Sequence, residues 1–591
     1  MDEKVRLQSD SRIISNMFFR LLPVQIILVA IGSLNGIIDG AMASNLIGPE
    51  ALTATGLFGP MVTLTNMINA VLVGGASILC GQFMGKNQIG RSKSVFTLDI
   101  LMVFLVGAVL TIVSIAIPDQ ISYVLGARGE MIEKVSAYIQ GYSFTFAATL
   151  LSSQLSAFLQ MERQEKLTYL GIGIMLMMNA GLDYLLVGVL GMDMFGLGLA
   201  TAISSWAFAI ILAIYYLTPK AAIRFSMGSI VRMDAKDILL IGFPGAISQA
   251  CQMIRGLYLN HAILRYAGAD GMAAFAAITT FGGIFFAVIA GVAASSRMLI
   301  SIYSGEEDRA GLVMIMRTAL YKGIGLAIAV NSVFIALAVP LTNIFYHDPQ
   351  TEVYKLTVWG FRLFPISMPL ACFCLIFCNC FQCTNKMAIV NVLSTFDGII
   401  GTVITAAVTF PILGGMGIWV TQIMNGVYPI LIIILHAFFV NRRCAVDTES
   451  LMTLSKDFGV SGENRIDLTI HGLEDVVNTS EQIINFCKRH GVDTKRSYYA
   501  GLCMEEMAGN IVQHGFSDKK KHSADIRVVY KKDELLLRIR DDCKLFDPKE
   551  RVELFAPEDV THNIGIRMVS RIAKSMNYQN MLGLNVLTIT V

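Results

Sequence analysis

Two polar side chains, Asn179 and Asp183, interrupt an apolar run of membrane-spanning length within residues 166–201. Because they are four positions apart, they lie on one face of a helix. A carboxylate costs at least ~2.5–3.5 kcal/mol to insert at the centre of a membrane helix, and such residues usually belong to ion or proton pathways. The pair therefore predicts a cation or proton site inside a membrane.

The composition is that of a membrane protein with a soluble tail. The 591 residues are 54% hydrophobic and 15% charged, and the mean hydropathy is +0.60, which is too apolar for a soluble domain. Apolar runs fill residues 1–440, whereas residues 465–591 have an ordinary soluble composition. The net charge of +2 gives no indication of nucleic-acid binding, and we expect no nucleic-acid partner.

Twelve apolar runs are long enough to span a membrane, for which about 20 residues are needed. They begin near residues 17, 52, 94, 134, 166, 196, 236, 272, 314, 356, 388 and 415. Lys and Arg collect in alternate loops, which by the positive-inside rule face the cytoplasm. These loops are the N-terminal tail, 81–93, 161–166, 220–236 and the exit at 442–443. We expect a multi-pass protein of the cell membrane with both termini in the cytoplasm.

The two halves of the apolar region repeat each other. Pro23 opens span 1 and Pro244 opens span 7, and glycines follow both at matching intervals. These glycines are Gly48 and Gly85 in the first half and Gly268 and Gly305 in the second. Two repeats, at about 12–218 and 235–440, imply an all-α membrane part of twelve transmembrane helices. These form two pseudo-symmetric six-helix bundles with a cavity between them.

Several motifs resemble the multidrug and toxic compound extrusion (MATE) family. Residues 21–60 carry LLP, the intramembrane Asp39 and the turn IGPEAL, which together resemble the first repeat of that family. Residues 177–204 resemble its spans 5 and 6, and IGFPGAISQ at 241–249 resembles its second-repeat opening. The resemblance covers about residues 12–440 and implies a transporter domain that ends at residue 443.

The resemblance implies a cation-coupling site in the first bundle. MATE-like transporters build this site from four residues on spans 1, 5 and 6, and the matching residues are Asp39, Asn179, Asp183 and Thr201. Their two carboxylates, amide oxygen and hydroxyl are ligands that suit a hard cation. Two carboxylates in low dielectric must share a proton or bind a cation, so H⁺ or Na⁺ is the expected coupling ion. The alternative is that both aspartates only hydrogen-bond to neighbouring helices.

The second half carries a further candidate charge site, formed by Arg255 in span 7 and Asp397 in span 11. The two can neutralise each other, Arg255 can contact an anionic group of a substrate, or Asp397 can bind a second cation or a substrate. The expected function is secondary active export of small, amphiphilic or drug-like compounds by H⁺ or Na⁺ antiport with alternating access.

The tail is predicted to be a linker followed by a folded domain. Residues 444–464 form the linker, and residues 465–591 form an α+β sandwich. The predicted elements are strands at 465–470, 526–530, 534–540 and 584–591 and helices at about 474–490, 495–514 and 564–576.

This domain resembles the GHKL ATPase superfamily, in the form used by anti-sigma-factor serine kinases. Residues 506–515 (EMAGNIVQHG) resemble its N-box, 538–548 (RIRDDCKLFDP) the next box, and 561–569 (THNIGIRMV) its glycine box. The order and spacing of the three boxes carry the resemblance, because E-x-x-x-N alone on a helix is a weak signal.

The resemblance implies a role for four residues, with ATP and Mg²⁺ as ligands. Glu506 would be the catalytic base that polarises the attacking group, and Asn510 would bind Mg²⁺. Asp541 would accept a hydrogen bond from the adenine amino group. Residues around Gly565 would face the phosphates, where helix N-terminal amides can bind them.

Two departures leave the activity of the domain open. Cys543 and Asn563 stand where this family has glycines, and a Cβ there can crowd adenine or phosphate. The domain is therefore an ATP-binding module, a serine kinase of low turnover, or a degenerate module that regulates transport or docks a cytoplasmic regulatory protein. The alternative for the whole chain is a membrane-anchored sensor or serine kinase with the MATE-like part as receptor. The linker 444–464 contains no histidine for a sensor histidine kinase.

Overall fold

The structure is a computed structural model with a helical part followed by a mixed α/β part. It describes residues 3–219, 221–443, 446–455, 458–460, 462–516, 522–531, 534–543, 547–548, 564–581 and 584–591.

The described residues of the first half of the helical part form nine helices. They are α1 (Glu3–Leu46), α2 (Pro49–Leu57), α3 (Gly59–Gly85), α4 (Ile89–Ala116), α5 (Pro118–Val124), α6 (Met131–Tyr142), α7 (Thr145–Met161), α8 (Glu165–Asp183) and α9 (Asp193–Tyr216). Pro49 and Pro118 begin α2 and α5, where a missing N–H is tolerated because first-turn amides have no partner within the helix. α8 continues directly into a π-helical turn, Tyr184–Val189.

In the part of the second half that the structure describes, there are eight helices and two π-helical turns. They are α10 (Arg232–Gly305), α11 (Arg309–Arg317), the turn Thr318–Gly323, α12 (Ile324–Ala336), α13 (Ala338–Phe345), α14 (Glu352–Cys383), α15 (Met387–Thr395), the turn Phe396–Ile400, α16 (Gly401–Leu413) and α17 (Gly417–Asn441). Gly268 divides α10 into two arms, because its φ of 64° and ψ of −158° are not helical. Glycine adopts this conformation without the steric penalty of a Cβ.

Nine helical segments of the described residues are long and apolar enough to cross a membrane. Two of them, Arg232–Gly305 and Met387–Asn441, hold two spans each, because the first is broken at Gly268 and the second near Gly414. The predicted fourth span is shared between α6 and α7, each of which is shorter than a span. Together these segments account for the twelve predicted spans of an all-α membrane part.

The two halves touch where α3 and α10 end, at the face that bears the C-terminal domain. We call it the domain-side face. A Cβ on Gly85 would lie 2.1 Å from the carbonyl oxygen of Ile302, and one on Gly305 would lie 2.1 Å from that of Gln82. Glycine therefore lets the two backbones meet. The halves are closed against each other at this face.

The segment predicted as a linker, 444–464, contains a short helix, α18 (Thr448–Met452), that packs on the membrane part. Leu451 is 4% exposed and belongs to the hydrophobic core of the membrane helices. Lys386 donates from Nζ to Oγ1 of Thr453 over 2.7 Å. The described part of this segment is therefore anchored to the second half.

The C-terminal domain is a five-stranded antiparallel sheet with helices on one face. Its elements are β1 (Arg465–Ile470), α19 (Leu473–Arg489), α20 (Thr494–Asn510), β2 (Ala524–Lys531), β3 (Glu534–Asp541), α21 (Ile564–Ile572), β4 (Ser575–Met581) and β5 (Leu584–Thr590). The strand order is β1-β2-β3-β5-β4. Alternate residues such as Val528, Leu537 and Ile539 are buried in one core with residues of the helices. Side chains between them point to the opposite face.

One predicted element of this domain is wrong at its end. The helix expected near 564–576 stops at Ile572, and Ser575–Met581 form β4. The sequence SMNYQNM contains none of the β-branched residues that are enriched in strands. It forms a strand because it pairs with β5, for example at Tyr578 opposite Leu587.

Candidate functional site

The four residues of the predicted cation site come together inside the first half. Asp39 of α1 lies next to the side chains of Asn179 and Thr201, and its charge acts on Asp183. Asn179, Asp183 and Thr201 are 1%, 0% and 6% exposed. The ends of α1, α8 and α9 thus place two carboxylates, an amide and a hydroxyl around one buried point.

Several polar atoms of this set lack a hydrogen bond. Both carboxylate oxygens of Asp183 and the side-chain oxygen of Asn179 are buried without a hydrogen-bond partner among the described residues. Each unsatisfied buried group costs about 1–3 kcal/mol, and such groups in a native fold need an explanation. A cation or a proton held by these oxygens removes the penalty, so the donor set fits the predicted ion.

Two tyrosines complete the surroundings of the carboxylates. Tyr138 of α6 lies within electrostatic range of both Asp39 and Asp183, and Tyr142 lies within range of Asp39. Sequence reasoning missed them, although their spacing of four residues places them on one helix face. The π-helical turn that follows Asp183 also marks the site, since such turns are frequent at functional positions.

Two adjoining cavities lie beside this cluster. One of about 360 Å³ lies within the first half, and Thr201 and Tyr142 line it. The other, of about 530 Å³, lies between the two halves, and Asp397 lines it. Gln25 and Arg297 line both cavities. Volumes of this size suit small-molecule ligands.

Arg297 lies at the wall of both cavities, a placement that its position near a helix end in the sequence does not predict. Its Nε atom is buried without a hydrogen-bond partner among the described residues. Among the described lining residues of the two cavities, Arg297 is the one Lys or Arg, and Asp397 is the one Asp or Glu. A guanidinium placed here can bind an anionic group that enters either cavity.

Of the predicted charge pair Arg255 and Asp397, Asp397 lies at the wall of the cavity between the two halves. Arg255 donates from Nη1 to the backbone carbonyl of Asp397 over 3.2 Å. Asn425 donates from Nδ2 to Oδ1 of Asp397, also over 3.2 Å. Arg255 and Asp397 are therefore in contact through the backbone carbonyl of Asp397. Asp397 lines the cavity, whereas Arg255 is absent from its described lining.

The candidate nucleotide residues lie on the helix-covered face of the sheet. Glu506 and Asn510 are on α20, and Gly565 of α21 packs so close that a Cβ there would lie 1.9 Å from Oε2 of Glu506. Asp541 ends β3 and is 3% exposed. The predicted crowding by Asn563 falls outside the described residues.

Asp541 is held in place from the neighbouring strand. Asn585 of β5 donates from Nδ2 to Oδ1 of Asp541 over 2.8 Å, and the backbone N–H of Cys543 donates to the same oxygen over 3.0 Å. Burial raises the pKa of Asp541, and these hydrogen bonds oppose the rise. The Cys543 side chain is buried against Gly515, where an added Cβ would lie 2.8 Å from its Sγ. It occupies space beside Asp541 that a glycine leaves open.

Comparison with known families identifies both parts of the chain. The MatE family model matches residues 26–185 and 244–407, which is more than half of the sequence. The chain belongs to the MATE family. A second model, the histidine kinase-like ATPase domain, matches residues 472–591. This multi-pass membrane protein is thus a MATE family member that carries an ATPase-like domain.

Individual relatives cover the transporter part. The multidrug export protein MepA of Staphylococcus saprophyticus is 26% identical over 268 residues, which are 44% of this chain and 58% of MepA. MepA of Staphylococcus aureus is 23% identical over 271 residues. The chain therefore spans less than two thirds of these relatives. A crystal structure of a MATE protein in complex with MaL6 has a TM-score of 0.66 at 22% identity and covers 71% of this chain and 94% of that one. A second, a MOP superfamily transporter from Pyrococcus furiosus, has a TM-score of 0.67 at 22% identity. Both likenesses show the fold.

Proposed function

We propose that the chain is a secondary active exporter that moves small, amphiphilic or drug-like compounds across the cell membrane by H⁺ or Na⁺ antiport. The observation that carries the proposal is the buried set of unsatisfied oxygens on Asn179 and Asp183 beside Asp39. The adjoining cavities provide space for a substrate, and the relatives named MepA are multidrug export proteins.

The site supplies a reason for coupling. Two neighbouring carboxylates in low dielectric repel each other until a proton or cation neutralises one of them. Thr201 contacts Asp39 and also lines the cavity within the first half. An ion that binds at Asp39 and a substrate that binds in this cavity therefore both act on the side chain of Thr201. One charge that crosses 100 mV supplies about 2.3 kcal/mol to drive the cycle.

Both termini are proposed to lie in the cytoplasm. The domain-side face carries Lys86 after α3, Arg91 and Lys93 at the start of α4, and Arg163 between α7 and α8. Such basic residues are typical of the cytoplasmic side of a membrane protein. An ATP-binding domain also needs the nucleotide pool of the cytoplasm. The domain-side face is then the cytoplasmic face.

The coupling proposal is tested in proteoliposomes without ATP, with ethidium as the transported dye and an imposed proton or sodium gradient. We expect Asp183→Asn to abolish gradient-driven export, because the amide binds neither a proton nor a cation as the carboxylate does. Asp119→Asn is the matched control, since Asp119 is exposed at the start of α5. Export by Asp183→Asn at the control rate, or export that strictly requires ATP hydrolysis, contradicts the proposal.

The C-terminal domain is proposed to bind Mg²⁺ and ATP, in the manner of anti-sigma-factor serine kinases, and to regulate transport. The contact of Gly565 with Glu506 supports this, as does the position of Asn510 on the same helix as Glu506 and of Asp541 on the helix-covered face of the sheet. Calorimetry of the full chain with Mg-ATP tests binding, with Asp541→Asn as the variant expected to lose it. Phosphate transfer to a serine of a cytoplasmic protein, without gradient-driven export, would instead favour the membrane-anchored kinase.

A further inference from the structure

The open face of the C-terminal sheet is covered by the membrane part. Arg527 of β2 and Arg538 and Arg540 of β3 point to this face, on the side opposite the helices. Their side chains are only 16%, 8% and 13% exposed. Three cations are thus buried between the sheet and the transporter, which requires anionic partners there.

The partners come from the loop between α10 and α11, in the second half. Glu306 pairs with Arg540 and with Nη1 of Arg538 at 3.3 Å, and Asp308 accepts from Nη1 of Arg527 at 2.5 Å. Glu306 and Asp308 are 1% and 2% exposed in their side chains. Burial acts to raise the pKa of Asp308, but Arg527 and Arg540 lower it to about 2. Both loop carboxylates are therefore committed to the sheet.

The same sheet also contacts the first half. Arg538 donates from Nη2 to the backbone carbonyl of Gly85 over 3.3 Å, and Gln579 of β4 donates to Oδ1 of Asn87. Leu584 and Val586 of β5 are buried in the hydrophobic core of the membrane helices. One rigid sheet is thus fixed to corresponding loops of both halves.

These contacts meet at the point where the halves are closed. Arg538 binds Gly85 of the first half and Glu306 of the second with one guanidinium. Gly85 and Gly305 are two of the residues at which the backbones of the halves touch. Opening of this face separates Gly85 from Glu306, so Arg538 must then release either the carbonyl of Gly85 or the carboxylate of Glu306.

We propose that the open face of the C-terminal sheet is a brace surface, formed by Arg527, Arg538, Arg540 and Gln579, that binds both halves of the transporter and holds the cytoplasmic face closed. The brace deepens the regulatory part of the proposed function and rests on the cytoplasmic placement given there. It assigns the domain a partner, namely the closed pair of loops at Gly85 and Glu306.

The brace surface shares its strands with the candidate nucleotide site. Arg540 and Asp541 are neighbours on β3 and point to opposite faces of the sheet. On β5, Asn585 binds Asp541, while Leu584 and Val586 on either side of it pack on the transporter. A ligand that contacts Asp541 therefore acts on the two strands that carry the brace surface. Such a ligand shifts the equilibrium between the closed and the open cytoplasmic face if its affinity differs between the sheet that is bound to the transporter and the sheet that is released from it.

The test measures opening of the cytoplasmic face in the full chain. Ser301 is 0% exposed, and its Oγ would lie 2.0 Å from a Cβ on Gly81 across the contact between the halves. A cysteine introduced by Ser301→Cys reports opening through its rate of reaction with a membrane-impermeant maleimide in inside-out vesicles. The labelling rate of the same chain with Ser301 retained is subtracted, which removes the contribution of the native cysteines.

Glu306→Gln and Arg540→Gln, one on each side of the contact, are each expected to raise this rate about tenfold, a change of about 1.4 kcal/mol in the opening equilibrium. The double variant is expected to react no faster than the faster single variant, because both single substitutions remove the ion pair of Glu306 with Arg540. Arg489→Glu, exposed on α19 of the same domain, is the matched control and leaves the rate unchanged.

Labelling at the control rate in both single variants, or additive effects in the double variant, overturns the brace. Arg540→Lys keeps the charge and is expected to fall between the parent and Arg540→Gln. It keeps the test decisive if Arg540→Gln does not fold. The labelling assay uses neither substrate nor ion gradient. If the variants show the expected labelling rates but ion-coupled export is not observed, the result contradicts only the proposed function.

Discussion

The sharpest structural prediction concerns Gly85, where the two halves meet. Gly85→Ala places a Cβ 2.1 Å from the carbonyl oxygen of Ile302, which must retreat by about 1.3 Å to reach the 3.4 Å of ordinary van der Waals contact. The Cβ also meets the backbone nitrogen of Glu306 at 2.9 Å. Since backbone on both sides cannot rotate away as a side chain can, the halves must separate at this face.

Overpacking of this kind costs about 1–3 kcal/mol, which corresponds to roughly 5- to 150-fold in the opening equilibrium. Hydrogen–deuterium exchange of the full chain in nanodiscs measures it, because amide exchange of a closed contact follows its opening free energy. We expect faster exchange at residues 80–88 and 300–308 in Gly85→Ala.

Gly90→Ala is the matched control for this prediction. Gly90 lies in the adjoining first turn of α4, and a Cβ there would meet nothing within 4 Å. Alanine is the better helix former by about 0.5–1 kcal/mol, so Gly90→Ala leaves exchange at the contact unchanged or slower. Equal exchange in Gly85→Ala and Gly90→Ala would refute the close approach of the two halves.

Three further predictions concern charge and the nucleotide site. Arg297→Gln is expected to lower transport of an anionic fluorescein dye at least about tenfold and to leave ethidium transport within about twofold, because it removes the cavity cation; equal losses for both dyes contradict this role. Exchange protection of residues 302–309 is expected to stay constant from pH 8 to pH 5, because a carboxyl with a depressed pKa contributes fully above its ordinary 3.8 and loses its contribution only as the pH falls towards about 2. Loss of protection at pH 5–6 contradicts the ion pairs of Asp308. Cys543→Gly is expected to tighten Mg-ATP binding by up to about tenfold in calorimetry, because it opens the space beside Asp541; weaker binding contradicts crowding by the thiol.

Local chemistry and repetition let the sequence determine the architecture of the membrane part. Apolar runs of fixed length predict spans because a helix in hydrocarbon satisfies its own backbone. The spacing of Asn179 and Asp183 predicts a shared helix face, and the repeated prolines and glycines predict two matching halves. The boxes at Glu506–Asn510 and around Gly565 predict an ATPase-like fold in the same way, because each is a local motif on one element.

Only the tertiary structure decided how distant segments combine. Ser575–Met581 has little strand character of its own and becomes β4 through its pairing with β5. Arg297 resembles any arginine near a helix end, and its exposure to two cavities depends on how the halves pack. The role of Arg538 arises from one guanidinium that contacts Gly85 and Glu306, hundreds of residues away in the chain. Such contacts follow no helical or strand period. The sequence by itself therefore predicts the residues of the candidate cation site, whereas the contacts of the proposed brace appear only in the fold.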